Sequence, residues 1–255
     1  MKRMPALFVG HGSPMNAIEE NPFVKEWRNL GEKLPKPKAI LAISAHWFTE
    51  GTRINDSVEP KTIYDMYGFP EELYKIVYPA KGIPELAHQI IKMLDRNVTI
   101  DNAWGYDHGA WSVLHRMYPE ADIPVLQLSI DKRATLKEHY EMGRQLASLR
   151  EQGILILGSG NIVHNLARIN WNLEGGYPWA DEFDTYIQEH ILKRIDEKVV
   201  DYHLAGTCST LAFTTLEHYA PIMYVLGASD KKDKVTIFND SCVLGSLSMT
   251  GYLFA

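Results

Sequence analysis

The chain has 255 residues, 45% of them hydrophobic and 23% charged, with a formal net charge of −6. That balance suits a soluble globular protein with a sizeable core, and it argues against a nucleic-acid or anionic-membrane surface. No apolar run approaches the roughly 20 residues that a bilayer-spanning helix requires, and the two cysteines, Cys208 and Cys242, lack the spacing of a disulfide framework or zinc ribbon.

Met1–Lys2–Arg3–Met4–Pro5 runs straight into the apolar run at 6–9, which leaves no room for a secretory signal. Each cysteine reads as a small core residue, so a reducing, cytoplasmic compartment fits best. Further apolar runs at 40–45, 123–130 and 154–157 are also short, lack polar alternation and are bounded by Gly or Pro. Such runs predict strands buried on both faces, as in parallel sheets. Between them, Glu85–Asp95, Ala134–Gln152 and Asp181–Ile195 carry apolar residues at helical spacing.

Thr214–Thr215–Leu216–Glu217 has the form of a capping box, predicting a helix from there towards Gly227, although Pro221 would sit past its first turn. Val235–Phe238 and Leu244–Phe254 alternate enough to read as late strands. The alternation of strand and helix predicts an α/β fold. It would be a single layered domain over residues 1–255, with a central mostly parallel or mixed sheet flanked by helices.

Ten histidines are the chemically informative residues. His88, His139 and His190 fall within predicted amphipathic helices among Lys, Glu and Gln and read as solvated; His115 follows the same rule, and His203 lies in a loop with no partner in view. His11 and His46 close the runs at 6–9 and 40–45 and precede turn residues. Imidazole is the commonest metal ligand, and strand ends are where α/β sheets gather their sites. His164 follows the 154–157 run through a Gly158–Ser159–Gly160–Asn161 turn and is expected one turn into the next element. His108, in Trp104–Gly105–Tyr106–Asp107–His108–Gly109, sits among aromatics that suit a pocket wall for a flat ring, where it is free to exchange a proton. Near the tail, either His218 or its neighbour Glu217 would complete a metal site. Glu217 would make a two-histidine, one-carboxylate triad, and His218 is favoured.

Five segments in this order carry a family resemblance: Pro5–Ala6–Leu7–Phe8–Val9–Gly10–His11–Gly12–Ser13–Pro14–Met15, Ser44–Ala45–His46–Trp47, Trp104–Gly105–Tyr106–Asp107–His108–Gly109, Ser159–Gly160–Asn161–Ile162–Val163–His164–Asn165 and Glu217–His218–Tyr219. Over nearly its whole length the chain resembles the DOPA-type extradiol dioxygenases of the class III ring-cleavage (LigB-like) superfamily, including YgiD-type bacterial members. The resemblance implies a non-haem metal in a pocket at one sheet edge, with His11, His46 and His218 as ligands. It makes His164 the histidine beside the metal, acid/base in iron enzymes and a further ligand in zinc-loaded ones, and His108 a pocket histidine. The broader superfamily places a glutamate at the last ligand position, so Glu217 stays beside His218 as an alternative.

The implied reaction inserts O2 into a catechol such as DOPA and opens the ring to a semialdehyde. Fe(II) is expected for activity, with Zn2+ as a metal the same ligands would also bind. The implied partners are a small catechol and O2, without nucleic acid or membrane, and a homo-oligomer is left open. Tyr64–Asp65–Met66–Tyr67–Gly68–Phe69–Pro70 resembles a family loop whose aromatics would reach a ring, or else pack as plain surface. The rival readings are a zinc-dependent hydrolase and a non-catalytic, Memo-like metal-binding interaction protein.

Overall fold

The computed structural model describes residues 3–255. Met1 and Lys2, the start of the segment expected to lead into the first strand, lie outside the described residues. The strands are β1 (Ala6–Gly10), β2 (Ala39–Thr49), β3 (Thr52–Ile54), β4 (Val98–Ile100), β5 (Val125–Asp131), β6 (Ile154–Gly160), β7 (Val235–Phe238), β8 (Cys242–Val243), β9 (Leu247–Ser248) and β10 (Gly251–Phe254). Eight of them form one sheet in the order β4-β3-β5-β2-β6-β1-β10-β7, while β8 and β9 pair separately. The central pairs β5–β2, β2–β6 and β6–β1 are parallel. β10 closes antiparallel on β1, and β7 antiparallel on β10.

The helices are α1 (Pro22–Lys33), α2 (Pro84–Met93), α3 (His108–Met117), α4 (Leu136–Leu146), α5 (Pro178–Leu192), α6 (Asp196–Val200), α7 (Ser209–Ala212) and α8 (Ala220–Ala228). They cover both faces of the sheet, which explains why the strand runs lack polar alternation: β1, β5 and β6 are buried throughout. The side-chain period of two still sorts residues by face. Phe8, Leu41, Ile43 and Ile156 pack with α4, α5 and α8, whereas Leu7, Val9, Ile40, Leu155 and Leu157 pack with α1 and α3 around Trp27 and Trp111. No helix among the described residues is long and apolar enough to cross a membrane.

Three expectations are corrected here. Residues 214–217 form no capping box: the Thr215 hydroxyl donates to Glu217 instead. The helix begins at Ala220, so Pro221 falls in its first turn, where its missing N–H costs nothing. The tail expected as one strand from Leu244 to Phe254 holds two short ones, β9 and β10. Leu244 and Gly245 both take left-handed conformations (φ 52° and 80°), which turns the chain between β8 and β9.

The third concerns His139, which is buried rather than solvated, with its Nδ1 2.9 Å from the Tyr224 hydroxyl. α8 is buried at every position and covers the α4 face that the sequence pattern assigned to water. Burial, then the Arg96 charge, lowers the His139 pKa from 6.5 to about 4. The folded state therefore resists a proton that the unfolded chain accepts, so this contribution is intact above pH 6.5 and is lost as pH falls towards 4. His139 should cost roughly 3 kcal/mol of stability across that window. His139→Gln should flatten the dependence of melting temperature on pH; equal acid loss in both proteins would refute the assignment.

The two ends of the described chain are tied together. Buried Arg150 donates to the carbonyls of Met4 (2.7 Å), Ala228 (2.9 Å) and Phe254 (3.1 Å) and pairs with Asp233 at 2.6 Å. Three backbone acceptors and one carboxylate satisfy a guanidinium that would otherwise be costly to bury.

Candidate metal centre

The carboxyl ends of β1, β2 and β6 meet at one sheet edge, and four of the singled-out histidines come from segments gathered there. His11 directly follows β1, and its N–H donates to the Gly160 carbonyl at 3.0 Å. His46 does not close its strand as expected. It sits inside β2, where the register against β5 slips between Ile43 and Phe48. Such irregularities re-aim a side chain without ending the strand. His164 is not one turn into a helix either: it lies in an irregular segment bridging Phe213 and Leu247. His218 precedes α8, and its carbonyl accepts the Asn161 N–H at 2.8 Å. His108 is the first residue of α3, whose N-cap Asp107 accepts the Ala110 N–H at 3.1 Å. A side chain at Gly109 would place its Cβ 2.5 Å from Ser44 Oγ and 2.8 Å from His46 Cδ2. Only glycine lets α3 approach this closely.

His11, His46 and His218 each offer a ring nitrogen, and these atoms lie within 4.8 Å of one another. The outward nitrogens are occupied. His11 Nδ1 lies 2.9 Å from Ser159 Oγ, and that hydroxyl gives its own proton to the Gly109 carbonyl at 2.5 Å. Ser159 must therefore accept from His11, which puts the ring proton on Nδ1. His46 Nδ1 lies 3.1 Å from Asp65 Oδ2, a carboxylate that only accepts. In the neutral rings both Nε2 atoms are then lone pairs, yet they sit 3.2 Å apart. His218 repeats the pattern, with Nδ1 3.4 Å from Glu217 Oε1 and Nε2 buried without a partner. Three convergent lone pairs, each backed by an acceptor on the far nitrogen, fit a divalent metal such as Zn2+ or Fe(II). Glu217 lies on the Nδ1 side of His218, behind the convergent set.

The electrostatics favour neutral rings at two of the three positions. Burial, followed by the charges of neighbouring histidines, pushes His11 and His218 well below their ordinary pKa. His46 differs: burial pushes it down, but the Asp65 hydrogen bond and the charges of Asp107, Asp65 and Glu217 outweigh burial and raise it.

The other two histidines lie against this cluster. The His164 ring stacks on His218 with centroids 3.4 Å apart and planes 5° from parallel. Burial and then the His46 charge lower its pKa to about 4, so it is neutral and proton-accepting at neutral pH. His108 packs on His46 with centroids 3.8 Å apart and edge-on to His11 at 5.8 Å. The remaining histidines are elsewhere. His88 and His203 are exposed, His88 against Asp56, while His115 and His190 are half-buried.

Two residues at the centre were not singled out from sequence. Ser159 had been read only as part of a turn. Asp65 lies in the 64–70 loop that drew notice for its aromatics, yet Tyr67 is 92% exposed and Tyr64 donates its hydroxyl to the Ile76 carbonyl. The loop's contribution to the centre is the Asp65 carboxylate.

Comparison with known proteins adds four findings. A family model described as the catalytic LigB subunit of aromatic ring-opening dioxygenase matches residues 5–255. A protein of Escherichia coli (strain K12) named "4,5-DOPA dioxygenase extradiol" is 47% identical, covering 97% of this chain and 93% of its own length. A Beta vulgaris protein of the same name is 38% identical over 97% of this chain and 95% of its own. The crystal structure of an uncharacterized Escherichia coli K12 protein superposes with a TM-score of 0.87 at 44% identity. That match covers 99% of this chain and 100% of the other.

Proposed function

The chain belongs to the LigB family of aromatic ring-opening dioxygenases, and on that premise we propose that it cleaves the ring of a DOPA-like catechol at its 4,5 bond, with Fe(II) held by His11, His46 and His218. The observation that carries this reading is the convergence of one ring nitrogen from each of His11, His46 and His218 beside the neutral, proton-accepting His164. Family membership also favours ring cleavage over a hydrolytic or non-catalytic role. The described span is read as one catalytic domain. Cys208 and Cys242, buried free thiols, suit a cytoplasmic place.

Non-haem Fe(II), when bound, supplies the redox chemistry that joins the catechol to O2 and lowers the pKa of the catechol hydroxyls. The protein's own residues do the rest. Ser159, Asp65 and Glu217 hold the three ligand rings in fixed tautomers, so no reorganisation is needed when the metal arrives. His164 takes the second phenolic proton and returns a proton as the ring opens. His108, held by Asp65 through Nδ1, offers Nε2 as an acceptor to a protonated oxygen of the substrate from the His46 side of the pocket.

The test is oxygen uptake, with an absorbance scan, on protein loaded anaerobically with Fe(II) and given L-DOPA and simple catechols. Stoichiometric uptake with a yellow semialdehyde product is expected, and none from the zinc form. Confirmed iron occupancy without uptake would sink the catechol assignment.

A further inference from the structure

Asp65 stands between the convergent ligands and the pocket histidine, and it is bonded to both. Its Oδ2 lies 3.1 Å from His46 Nδ1 and 2.9 Å from His108 Nδ1, while Oδ1 accepts the His108 backbone N–H at 2.8 Å. The carboxylate is nearly enclosed, with 11% of its side chain accessible. Burial alone would push this carboxyl up. The hydrogen bonds from His108 and His46, with their charges, hold it well below the usual carboxylate range.

We propose that Asp65 is a positioning residue that fixes His46 and His108 together as Nδ1–H tautomers, so that one ring can only ligate and the other can only accept a proton through Nε2. The inference rests on the ring-cleavage reading only where turnover is concerned.

The argument is a count of donors and acceptors. Oδ2 accepts from two ring nitrogens and Oδ1 from a backbone N–H, so every contact requires an acceptor. No other protein group among the described residues bonds to His108 Nε2, and that nitrogen is left to meet whatever enters the pocket. An imidazole with its proton on Nδ1 presents a lone pair there, not a donor. The Asp65 carboxylate also places one negative charge behind two neutral rings that touch, on the side away from the convergent nitrogens. Asparagine is isosteric but cannot reproduce this. Its carbonyl can face the two rings only if its NH2 faces the His108 backbone N–H, donor against donor. Turned round, the NH2 forces both rings to accept at Nδ1, which moves both ring protons to Nε2: His108 loses its accepting lone pair, and His46 can ligate only by setting its Nδ1–H donor against donor.

The test uses the full chain saturated with Zn2+, which is diamagnetic and does not depend on any substrate. Long-range 15N–1H spectra of the histidine rings should show His108 as the Nδ1–H tautomer in the native protein and as Nε2–H in Asp65→Asn. Competition with a chelator should show Zn2+ bound about 10- to 100-fold more weakly by Asp65→Asn. Asp65→Glu should recover part of both signals, which a variant damaged only in folding would not do. An unchanged His108 tautomer, or Zn2+ affinity within twofold of native, overturns the proposal.

A second readout uses kcat in the Fe(II) form. If Asp65 acts on turnover through His108, Asp65→Asn added to His108→Ala should lower kcat no further than His108→Ala alone at saturating metal. Independent, multiplying losses would overturn the coupling. The spectra and the zinc competition stand whether or not catechols are cleaved, so failure of the ring-cleavage reading would be seen separately in the oxygen-uptake experiment.

Discussion

Replacing His218 with alanine should abolish stable metal binding and lower ring cleavage on the order of 10³-fold or more, well beyond the 10- to 100-fold that loss of an orienting partner costs. His218 contributes a buried Nε2 that has no protein partner. Glu217 is not placed to substitute, because it faces the opposite nitrogen of the same ring. The matched variant Glu217→Gln should keep metal within the smaller range, since the amide oxygen can still accept from Nδ1. Metal content of the purified, Fe(II)-reconstituted variants decides the matter. A protein that loses metal on Glu217→Gln and retains it on His218→Ala would make the glutamate the ligand.

His164→Ala should leave Fe(II) and catechol binding intact and cost about 10²- to 10⁴-fold in kcat, the usual range for removing a general acid–base. The ring lies flat on His218 rather than within the group of three whose nitrogens converge. With its pKa lowered to about 4, it is a neutral imidazole at neutral pH, and its unprotonated ring nitrogen is ready to accept a proton. The sign follows directly: this base is lost only as pH falls through about 4, so His164 should contribute no acid limb near 6.5 to the rate profile. Loss of metal on His164→Ala, measured by stoichiometry rather than rate, would instead make His164 a fourth ligand.

Much of the fold was legible because parallel strands buried on both faces leave a plain signal. The runs at 6–9, 40–45, 123–130 and 154–157 correspond to β1, β2, β5 and β6, and each boundary error is a few residues. β3 and β4 were missed because three residues each carry too little periodicity to register. His139 was misplaced for a tertiary reason: a helix face flanked by Lys and Glu looks solvated until α8 covers it. At the centre, the histidines stood out because strand-end placement is local in sequence. Asp65 did not, since its partners lie at His46 and His108 and no pattern links them before the chain folds. Ser159 was hidden between two glycines that read as a turn, although it lies near the end of β6.

The order of strands has a consequence for biosynthesis. β1, made first, sits between β6 and β10, and β10 is made after all the rest of the sheet. His11 and His46 emerge from the ribosome early, but the nitrogen that completes their set comes 172 residues after His46, on a turn held by Asn161 and followed by a helix that packs on β6 and β1. A nascent chain thus carries at most two of the three convergent donors through most of translation. Capture of a metal ion by all three histidines is thereby deferred until His218 has been made.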